Sequence, residues 1–276
     1  MLETKDLTIR FGGHVAVNAV SCRFAPGTLT AIVGPNGAGK TTYFNLISGQ
    51  LQASAGEVFL NGANLTGLAP SARTREGLGR AFQLTNLFPY LSVLENVRLA
   101  VQAAQPGKHL RGLNLWSIWS DHKGLTDKAL AILEDVALLD KQTLPVTSLP
   151  HGDKRKLEVA LLMALDPAVY MFDEPTAGMS ADEAPVILNL IRALKNDKTK
   201  TILLVEHKMD VVRELADRII VLHNGCLVAD GDPAEVIASA VVQEAYLGVN
   251  PQDASAQDDA PPQPGLPPQG GRRNAA

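Results

Sequence analysis

The chain has 276 residues, of which 46% are hydrophobic and 20% charged, and its formal net charge is −4 at pH 7. This composition is typical of a globular protein with a sizeable core, and the acidic balance argues against a generic nucleic-acid binder. The two cysteines, Cys22 and Cys226, are far apart and lack metal-binding spacing, so we expect reduced thiols.

The sequence gives no sign of export or of a membrane span. The first ten residues lack a basic region followed by an apolar stretch, so we expect no signal peptide. The longest apolar runs, such as "VALLMAL" at 159–165, are far shorter than the roughly 20 residues that a membrane helix needs. The chain would therefore reach a membrane only through a partner.

The first zone, residues 1 to about 94, alternates β-rich runs with glycine and asparagine turns. Strands are predicted in "LETKDLTIRF", "VAVNAVSCRF", "TLTAIVG" and "GEVFLNG". The third of these strands leads into a glycine-rich segment, and the helix "TTYFNLIS" follows that segment and ends near Gly49.

This glycine-rich segment, "GPNGAGKT" at 34–41, matches the phosphate-binding pattern G-x-x-x-x-G-K-[ST] at every fixed position. Its glycines let backbone amides converge on phosphate oxygens, and the following helix adds a partial positive charge. We expect Lys40 to reach the β- and γ-phosphates and the Thr41 hydroxyl to bind Mg²⁺. The residues predicted to hold the nucleotide are Gly34, Pro35, Asn36, Gly37, Ala38, Gly39, Lys40, Thr41 and Thr42.

The second zone is helical and interrupts the α/β pattern. The runs "ENVRLAVQAA" and "LTDKALAILEDVALL" carry apolar residues at i, i+3, i+4 and i+7. Gln83 lies where the β-rich zone gives way to this insert, at a strand-to-loop change, and we expect it to sense a bound γ-phosphate.

The segment "SLPHGDKRKLE" at 148–158 predicts the start of a helix only half suited to hold an anion. Gly152 and the basic residues after it favour an anion at the helix N-terminus. Pro150, however, has no backbone N–H to donate, and Asp153 adds a negative charge.

The third zone, from about residue 166, returns to α/β alternation, and its apolar strands predict a buried parallel sheet. Asp173 ends the strand "AVYMF" where a carboxylate can reach a nucleotide-bound metal. Glu174 points the other way if the chain is still extended, and could orient or deprotonate water. His207 ends the strand "TILLV" near the same sheet edge and is a second candidate sensor of the γ-phosphate.

The base of the nucleotide is predicted less directly. No N/T-K-x-D segment of the kind that reads guanine is present. Phe11 could stack on adenine, and a place in the core is an equal alternative for this ring. Residues 249–276, rich in proline, glutamine and glycine, are predicted to be a disordered tail.

Together, these residues resemble the nucleotide-binding subunit of an ABC transporter over roughly residues 2–248, with the motifs in the family's order. Phe11 matches the A-loop aromatic, Gly34 to Thr42 the Walker A, Gln83 the Q-loop, "LPHGD" the signature, "VYMFDEP" the Walker B with its catalytic glutamate, "TAGMS" the D-loop and His207 the H-loop.

The resemblance implies a P-loop NTPase core of mainly parallel sheet with an antiparallel β subdomain and an inserted helical subdomain. The ATPase domain would span residues 1–248, with the insert at about 84–165. ATP and Mg²⁺ are the implied cofactors. Thr41, Gln83 and Asp173 are the implied metal ligands, and Glu174, His207 and Gln83 the implied catalytic residues.

In this family the signature of one subunit caps the γ-phosphate bound to another, so the resemblance implies a dimer. The usual signature is L-S-G-G-Q, whereas this chain has Leu149, Pro150, His151, Gly152 and Asp153. We therefore expect a second, different ATPase subunit, with a homodimer as the alternative.

Within the family, "FGGHVAV", "EHKMDVV" and "AYLG" resemble the ATPases of branched-chain amino acid importers, and urea importers are close. This implies transmembrane permease partners, no nucleic acid, and a peripheral place on the cytoplasmic face of the inner membrane. "LFPYLSVLENV" is the expected permease contact. A soluble ABC-type ATPase of DNA repair or chromosome maintenance is the alternative, although such proteins carry long heptad-patterned inserts that are missing here.

Overall fold

The computed structural model describes residues 1–81, 87–104, 123–240 and 242. In these residues the chain forms a four-stranded sheet with the order β2-β1-β4-β5 and a six-stranded sheet with the order β10-β9-β3-β8-β7-β6. The α/β fold with an antiparallel β subdomain, predicted from the sequence, is confirmed.

The four-stranded sheet is antiparallel and comes from the first zone of the chain. Its long strands pair across a tight hairpin at Gly12, and their buried positions, including Leu7 and Val17, face a shared apolar cluster. Its strands are β1 (Leu2–Phe11), β2 (His14–Phe24), β4 (Ala55–Leu60) and β5 (Ala63–Asn64).

The six-stranded sheet is parallel except for its last hairpin. The central strands are buried along their whole length, as their continuous apolar runs predict. Its strands are β3 (Leu29–Val33), β6 (Leu78–Arg80), β7 (Val169–Asp173), β8 (Thr201–Val205), β9 (Arg218–His223) and β10 (Cys226–Gly231).

The antiparallel hairpin β9–β10 turns at Asn224 and Gly225, which both have positive φ. Asn-Gly is the favoured pair for such a turn. The carboxyl ends of β3, β7 and β8 meet at one edge of the sheet because the three strands run parallel and adjacent.

Three helices between β6 and β7 in the sequence pack on one another around an apolar cluster that includes Val97, Leu133 and Leu157. The eight described α-helices are α1 (Lys40–Ser48), α2 (Pro70–Arg75), α3 (Val93–Ala103), α4 (Lys123–Asp135), α5 (His151–Leu165), α6 (Ala184–Lys195), α7 (Met209–Leu215) and α8 (Pro233–Ala238).

The helix predicted over "LTDKALAILEDVALL" ends four residues early. Ala137 adopts a left-handed φ of 53°, and the Leu138 N–H donates to the Leu133 carbonyl at 2.8 Å. This pattern terminates a helix by satisfying its last carbonyls. A 3₁₀ turn follows at Leu139–Lys141.

Among the described helices none has the length and hydropathy needed to cross a bilayer. The predicted tail at 249–276 and Gln83 lie outside the described residues. The domain boundaries at 248 and 249, and the limits of the insert, stay predictions.

Candidate active site

Residues 34–39 form a loop between β3 and α1, as predicted, and Lys40 and Thr41 begin the helix. Gly39 has a φ of 96°, and a Cβ built on it would lie 2.4 Å from the Ala16 carbonyl oxygen. A Cβ on Gly34 would lie 2.1 Å from the Leu222 carbonyl oxygen. Only glycine fits at these two positions, so the backbone can fold tightly in front of α1.

The N-terminus of α1 carries no acidic residue of its own, and the acidic residue that lines the cleft beside it, Glu174, comes from the segment after β7. Gly39 is the N-cap of α1, no side chain caps the helix, and its first turn contains no acidic residue. The first amides of the helix therefore remain available to an anion. This is the electrostatic setting that a phosphate group needs.

Lys40 lies back over the loop and is 5% exposed. Its Nζ donates to the carbonyls of Gly34 at 2.6 Å and Pro35 at 2.9 Å. Burial lowers the pKa of Lys40, while the carboxylates of Glu174 and Asp173 oppose that shift. The ammonium group is thus held beside two carboxylates, where it can bind a phosphate oxygen.

Asp173 ends β7 with a fully buried side chain. Its Oδ2 accepts a hydrogen bond from Arg80 Nη2 at 2.8 Å, whereas its Oδ1 has no partner among the described residues. Burial raises the pKa of Asp173, and the adjacent Arg80 guanidinium opposes that rise. One oxygen of a buried carboxylate is therefore left without a hydrogen bond.

The unpartnered Oδ1 and the exposed position of Thr41 fit the chemistry of Mg²⁺. Mg²⁺ is usually held by one or two protein oxygens together with water and substrate phosphates. The described residues contain no group of three His, Cys, Asp or Glu side chains that could hold a metal alone. A metal here would depend on the nucleotide for its remaining ligands.

Glu174 is not extended, and this corrects the sequence expectation. Its N–H still pairs with the Val205 carbonyl at 2.9 Å, but its φ is 48°, so the chain turns away at this residue. Its Oε1 lies 2.7 Å from His207 Nε2. A non-glycine residue in the left-handed region is strained, and such strain is concentrated at functional sites.

His207 is oriented by its neighbour Glu206, which the sequence analysis missed. The buried Glu206 carboxylate accepts from the His207 N–H at 2.7 Å and from Thr176 Oγ1 at 3.2 Å. The signal in the sequence was a carboxylate directly after the apolar run "TILLV". Glu206 thereby ties the turn after β8 to the segment after β7.

The loop, Glu174 and His207 share one cleft of about 210 Å³. Phe11 does not line it, but this ring is 51% exposed, so the core alternative for Phe11 is wrong. The cleft is lined by Asn36, Gly37, Ala38, Gly39, Lys40, Thr41, Glu174 and His207.

The signature residues do not line this cleft. Helix α5 begins at His151, within the segment where the sequence predicts a helix start, and Pro150 is its N-cap. Leu149 is buried beneath the helix start. The chain therefore presents two separate helix N-termini, one at the cleft and one at the signature.

Asp153 does not carry the bare charge that the sequence suggested. It is 1% exposed and accepts from Lys141 Nζ at 2.5 Å and Lys156 Nζ at 3.0 Å. Burial raises the pKa of Asp153, but the two lysines outweigh burial and hold it below its usual value. The Asp153 charge is thus compensated within the chain.

Glu183, also missed from the sequence, lies against the signature. Its carboxylate oxygens would lie 2.4 Å from a Cβ built on Gly152. It accepts hydrogen bonds from the Ser180 backbone N–H and side-chain hydroxyl. His151 packs over Gly178 in the same way. The signature and the "TAGMS" loop of one chain are therefore in direct contact.

A phosphate loop after one parallel strand, a buried aspartate after a second and a glutamate–histidine pair beside them define the class of P-loop ATPases. The family model described as "ABC transporter" matches residues 17–177. The "High-affinity branched-chain amino acid transport ATP-binding protein LivG" of Escherichia coli (strain K12) is 36% identical over 249 residues, which are 90% of this chain and 98% of that protein.

A probable LivG of Archaeoglobus fulgidus is 32% identical over 90% of this chain and 95% of its own length. Among solved structures, a nucleotide-free ATP-binding cassette from an ABC transporter aligns with a TM-score of 0.74 and 29% identity, over 90% of this chain and 99% of that one. A dimeric bacterial ABC transporter cassette aligns with a TM-score of 0.72 and 25% identity, over 84% and 99%.

The chain belongs to the ABC transporter family, as its motifs predicted, and it is an ATPase of that family. Both LivG proteins are branched-chain amino acid transport proteins, so these relatives favour a transporter over a soluble ATPase of DNA repair or chromosome maintenance.

Proposed function

We propose that this chain is the ATP-hydrolysing subunit of an importer for branched-chain amino acids or a similar small polar solute such as urea. The two LivG proteins, which belong to branched-chain amino acid transport, support the solute class. The subunit lies on the cytoplasmic face of the inner membrane, held there by transmembrane permease partners.

One observation carries the proposed mechanism. The cleft joins the Walker A loop to Glu174 and His207, but the signature at 149–153 lies elsewhere on the same chain. A signature can therefore complete this cleft only from a second subunit. ATP is bound and hydrolysed between two ATPase subunits, as the dimeric state of one solved relative supports.

Within the cleft, the loop amides and Lys40 bind the triphosphate, and the adenine stacks on the exposed Phe11 ring. Thr41 and Asp173 would hold the metal, with Gln83 as a further ligand and sensor of the γ-phosphate. When bound, Mg²⁺ neutralises developing charge on the phosphate oxygens. Lys40 leaves the Gly34 and Pro35 carbonyls when phosphate oxygens replace them.

Glu174 and His207 act on the attacking water. A carboxylate can only accept hydrogen bonds, so we assign His207 Nε2 as the donor to Glu174 Oε1. When a γ-phosphate enters, His207 donates to the phosphate instead, and Glu174 Oε1 becomes free to accept a proton from water. Glu206 keeps the His207 backbone fixed during this exchange.

The second subunit is a different chain with an intact signature. Pro150 supplies neither a hydroxyl nor an amide at the start of α5, and a charge-assisted hydrogen bond is worth about 1.5–3 kcal/mol. Because Asp153 is already compensated by two lysines, the deficit comes mainly from Pro150 and His151. The cleft formed by this chain's own Walker A therefore does most of the hydrolysis.

The permease binds an apolar groove of about 370 Å³ on the helical insert. Leu99, Ala100 and Leu161 line this groove together with Phe88, which is 56% exposed. Tyr90, two residues after Phe88 in the chain, is 88% exposed. A cytoplasmic helix of the permease covers these rings, so closure of the dimer moves the permease.

The test is reconstitution of the chain with its permease and second ATPase subunit in liposomes. We expect ATP-dependent uptake of labelled leucine that the Glu174→Gln variant abolishes. Uptake of labelled urea alone would move the solute assignment to urea. Hydrolysis stimulated by DNA, without association with any permease, would refute the importer.

A further inference from the structure

Arg80 is a buried cation that the nucleotide-site motifs do not include. It ends β6, at the edge of the parallel sheet, and its side chain is 5% exposed. It was not predicted because β6 has only three residues and no apolar run. A buried guanidinium needs partners for its donors, so its contacts indicate its role.

The Arg80 guanidinium connects the helix of the Walker A to the strand of the Walker B. Its Nη1 donates to Asn45 Oδ1 at 2.6 Å and to Ser48 Oγ at 3.0 Å, both on α1. Its Nη2 donates to Asp173 Oδ2 at 2.8 Å at the end of β7. The guanidinium also lies over the Phe44 ring, 5.2 Å from its centre.

These bonds fix how Asp173 is presented. The carboxylate is fully buried, and Arg80 is the partner of Oδ2, so rotation of the side chain would leave that oxygen without a hydrogen bond in a dry site. The other oxygen, Oδ1, stays unpartnered among the described residues. The fork of Arg80 is anchored on α1, the helix that also carries Lys40 and Thr41.

We propose that Arg80 is a positioning residue that holds Asp173 in register with α1 and reserves Oδ1 for the nucleotide-bound Mg²⁺. The inference rests on the proposed metal role of Asp173. A positive charge at this site also repels a cation. Removal of Arg80 would lower Mg²⁺ affinity by freeing the Asp173 carboxylate and raise it by removing the repulsion. The proposal requires that the first effect is larger, so that Mg²⁺ affinity falls in the variant.

The experiment measures the affinity of the purified chain for a fluorescent ATP analogue, with Mg²⁺ and with EDTA. The readout is the Mg²⁺ ratio, which is the affinity with Mg²⁺ divided by the affinity with EDTA. Partners that orient a metal ligand typically contribute about 10- to 100-fold to metal affinity. We expect Arg80→Gln to lower the ratio at least about tenfold while leaving the affinity in EDTA within about twofold. Arg80→Lys restores part of the ratio because lysine reaches one partner but cannot span both.

Arg73 offers a matched control. It is also a buried arginine, at 2% exposed, and it binds the same helix through the carbonyls of Leu46 and Ile47. It does not contact Asp173 in any described bond. Arg73→Gln should lower the melting temperature as Arg80→Gln does, but it should leave the Mg²⁺ ratio unchanged.

Asp173→Asn tests the metal role of Asp173 separately from the positioning role of Arg80. If Asp173→Asn leaves the ratio unchanged, the proposed metal role fails. If it lowers the ratio and Arg80→Gln does not, or if Arg73→Gln lowers it equally, the Arg80 inference is overturned. In the double variant, Arg80→Gln should add nothing to Asp173→Asn, since both act through one carboxylate. Should Arg80→Gln not fold, Arg80→Lys is compared with Arg73→Lys by the same ratio.

Discussion

The chain offers two helix N-termini in motifs that concern nucleotide binding, and they differ in their surroundings. At α1 no side chain caps the helix and the first turn has no acid. At α5 the first turn holds Asp153, bound by two lysines, and the Glu183 carboxylate lies against Gly152. The same helix dipole thus produces a cleft open to phosphate in one place and a crowded, internally compensated end in the other.

This difference shows that a helix terminus does not by itself define an anion site. The N-termini of α1 and α5 both carry the partial positive charge of the helix backbone. What distinguishes them is where the chain's own carboxylates lie. Asp153 is in the first turn of α5 and Glu183 lies against Gly152. By contrast, Glu174 lines the cleft at α1 from a separate segment and pairs with His207. Substitutions at the cleft and at the signature test this contrast, and we expect the larger effects at the cleft.

Glu174→Gln should give the largest effect. It removes the group that accepts the proton of the attacking water, and general bases contribute about 10²–10⁴ to rate. We expect ATP hydrolysis by the assembled transporter to fall by about this factor while ATP binding is retained. Phosphate release is the measurement, and Glu134→Gln, at an exposed position on α4, is the control.

The same substitution in the second subunit provides a comparison for Glu174→Gln. The equivalent substitution in the partner should reduce hydrolysis much less, because its ATP faces the altered signature of this chain. Near-normal hydrolysis with Glu174→Gln would show that the active half-site has been assigned to the wrong subunit.

Lys40→Ala should weaken ATP binding by about 10- to 100-fold, the value of one or two charge-assisted hydrogen bonds. Titration with a fluorescent nucleotide measures this in the isolated chain. Lys128→Ala removes an exposed lysine and should change nothing. If Lys40→Ala bound the nucleotide with unchanged Mg²⁺-dependent affinity, the assignment of this cleft as the nucleotide site would be wrong.

Asp153→Asn should destabilise the fold by about 2 kcal/mol because it removes a buried charge that accepts hydrogen bonds from both Lys141 and Lys156. The Asp153 pKa is lowered in the folded state, so its contribution is complete above the ordinary aspartate pKa of about 4 and is lost as pH falls through the folded value. Denaturant unfolding should therefore show a gap between wild type and variant at pH 7 that narrows below about pH 4. A constant gap down to pH 2 would contradict this assignment.

Glu183→Gln should have the smallest effect, and in the opposite direction. Removing a negative charge beside a helix N-terminus is worth about 0.3–1 kcal/mol to a bound anion, or about two- to fivefold. Hydrolysis at the partner's ATP should rise by that factor when measured in the Glu174→Gln background. Asp182→Asn, at the exposed neighbouring position, is the control. If hydrolysis rose equally in Asp182→Asn, the effect would come from the net charge of the region and not from the position of Glu183.

The sequence was informative where local pattern and function coincide. The glycine spacing of 34–41, the strand before it and the apolar strands that end at Asp173 and Val205 were all predictable, because each depends on residues adjacent in the chain. The start of α5 at His151 was predictable in the same way, from proline and glycine before a basic run.

Contacts between distant segments were not predictable. Arg80 and Asp173 are separated by 93 residues, and nothing in "GLGR" indicates a strand without the pairing to β7. The Asp153–Lys156 pair follows from i,i+3 spacing on a helix, but the bond from Lys141 depends on the 3₁₀ turn before it. The left-handed backbone of Glu174 has no sequence signal, because it is not a glycine.

The phosphate loop is held from two remote parts of the chain. The Ala16 carbonyl, on β2, lies close to Gly39. In the β9–β10 turn, the Gly225 N–H donates a hydrogen bond of 3.0 Å to the Ala38 carbonyl. During synthesis the N-terminal part emerges first, so a ribosome must translate past residue 225 before the loop can take its final shape. We therefore expect nucleotide binding to follow the pairing of β9 with β10 during folding.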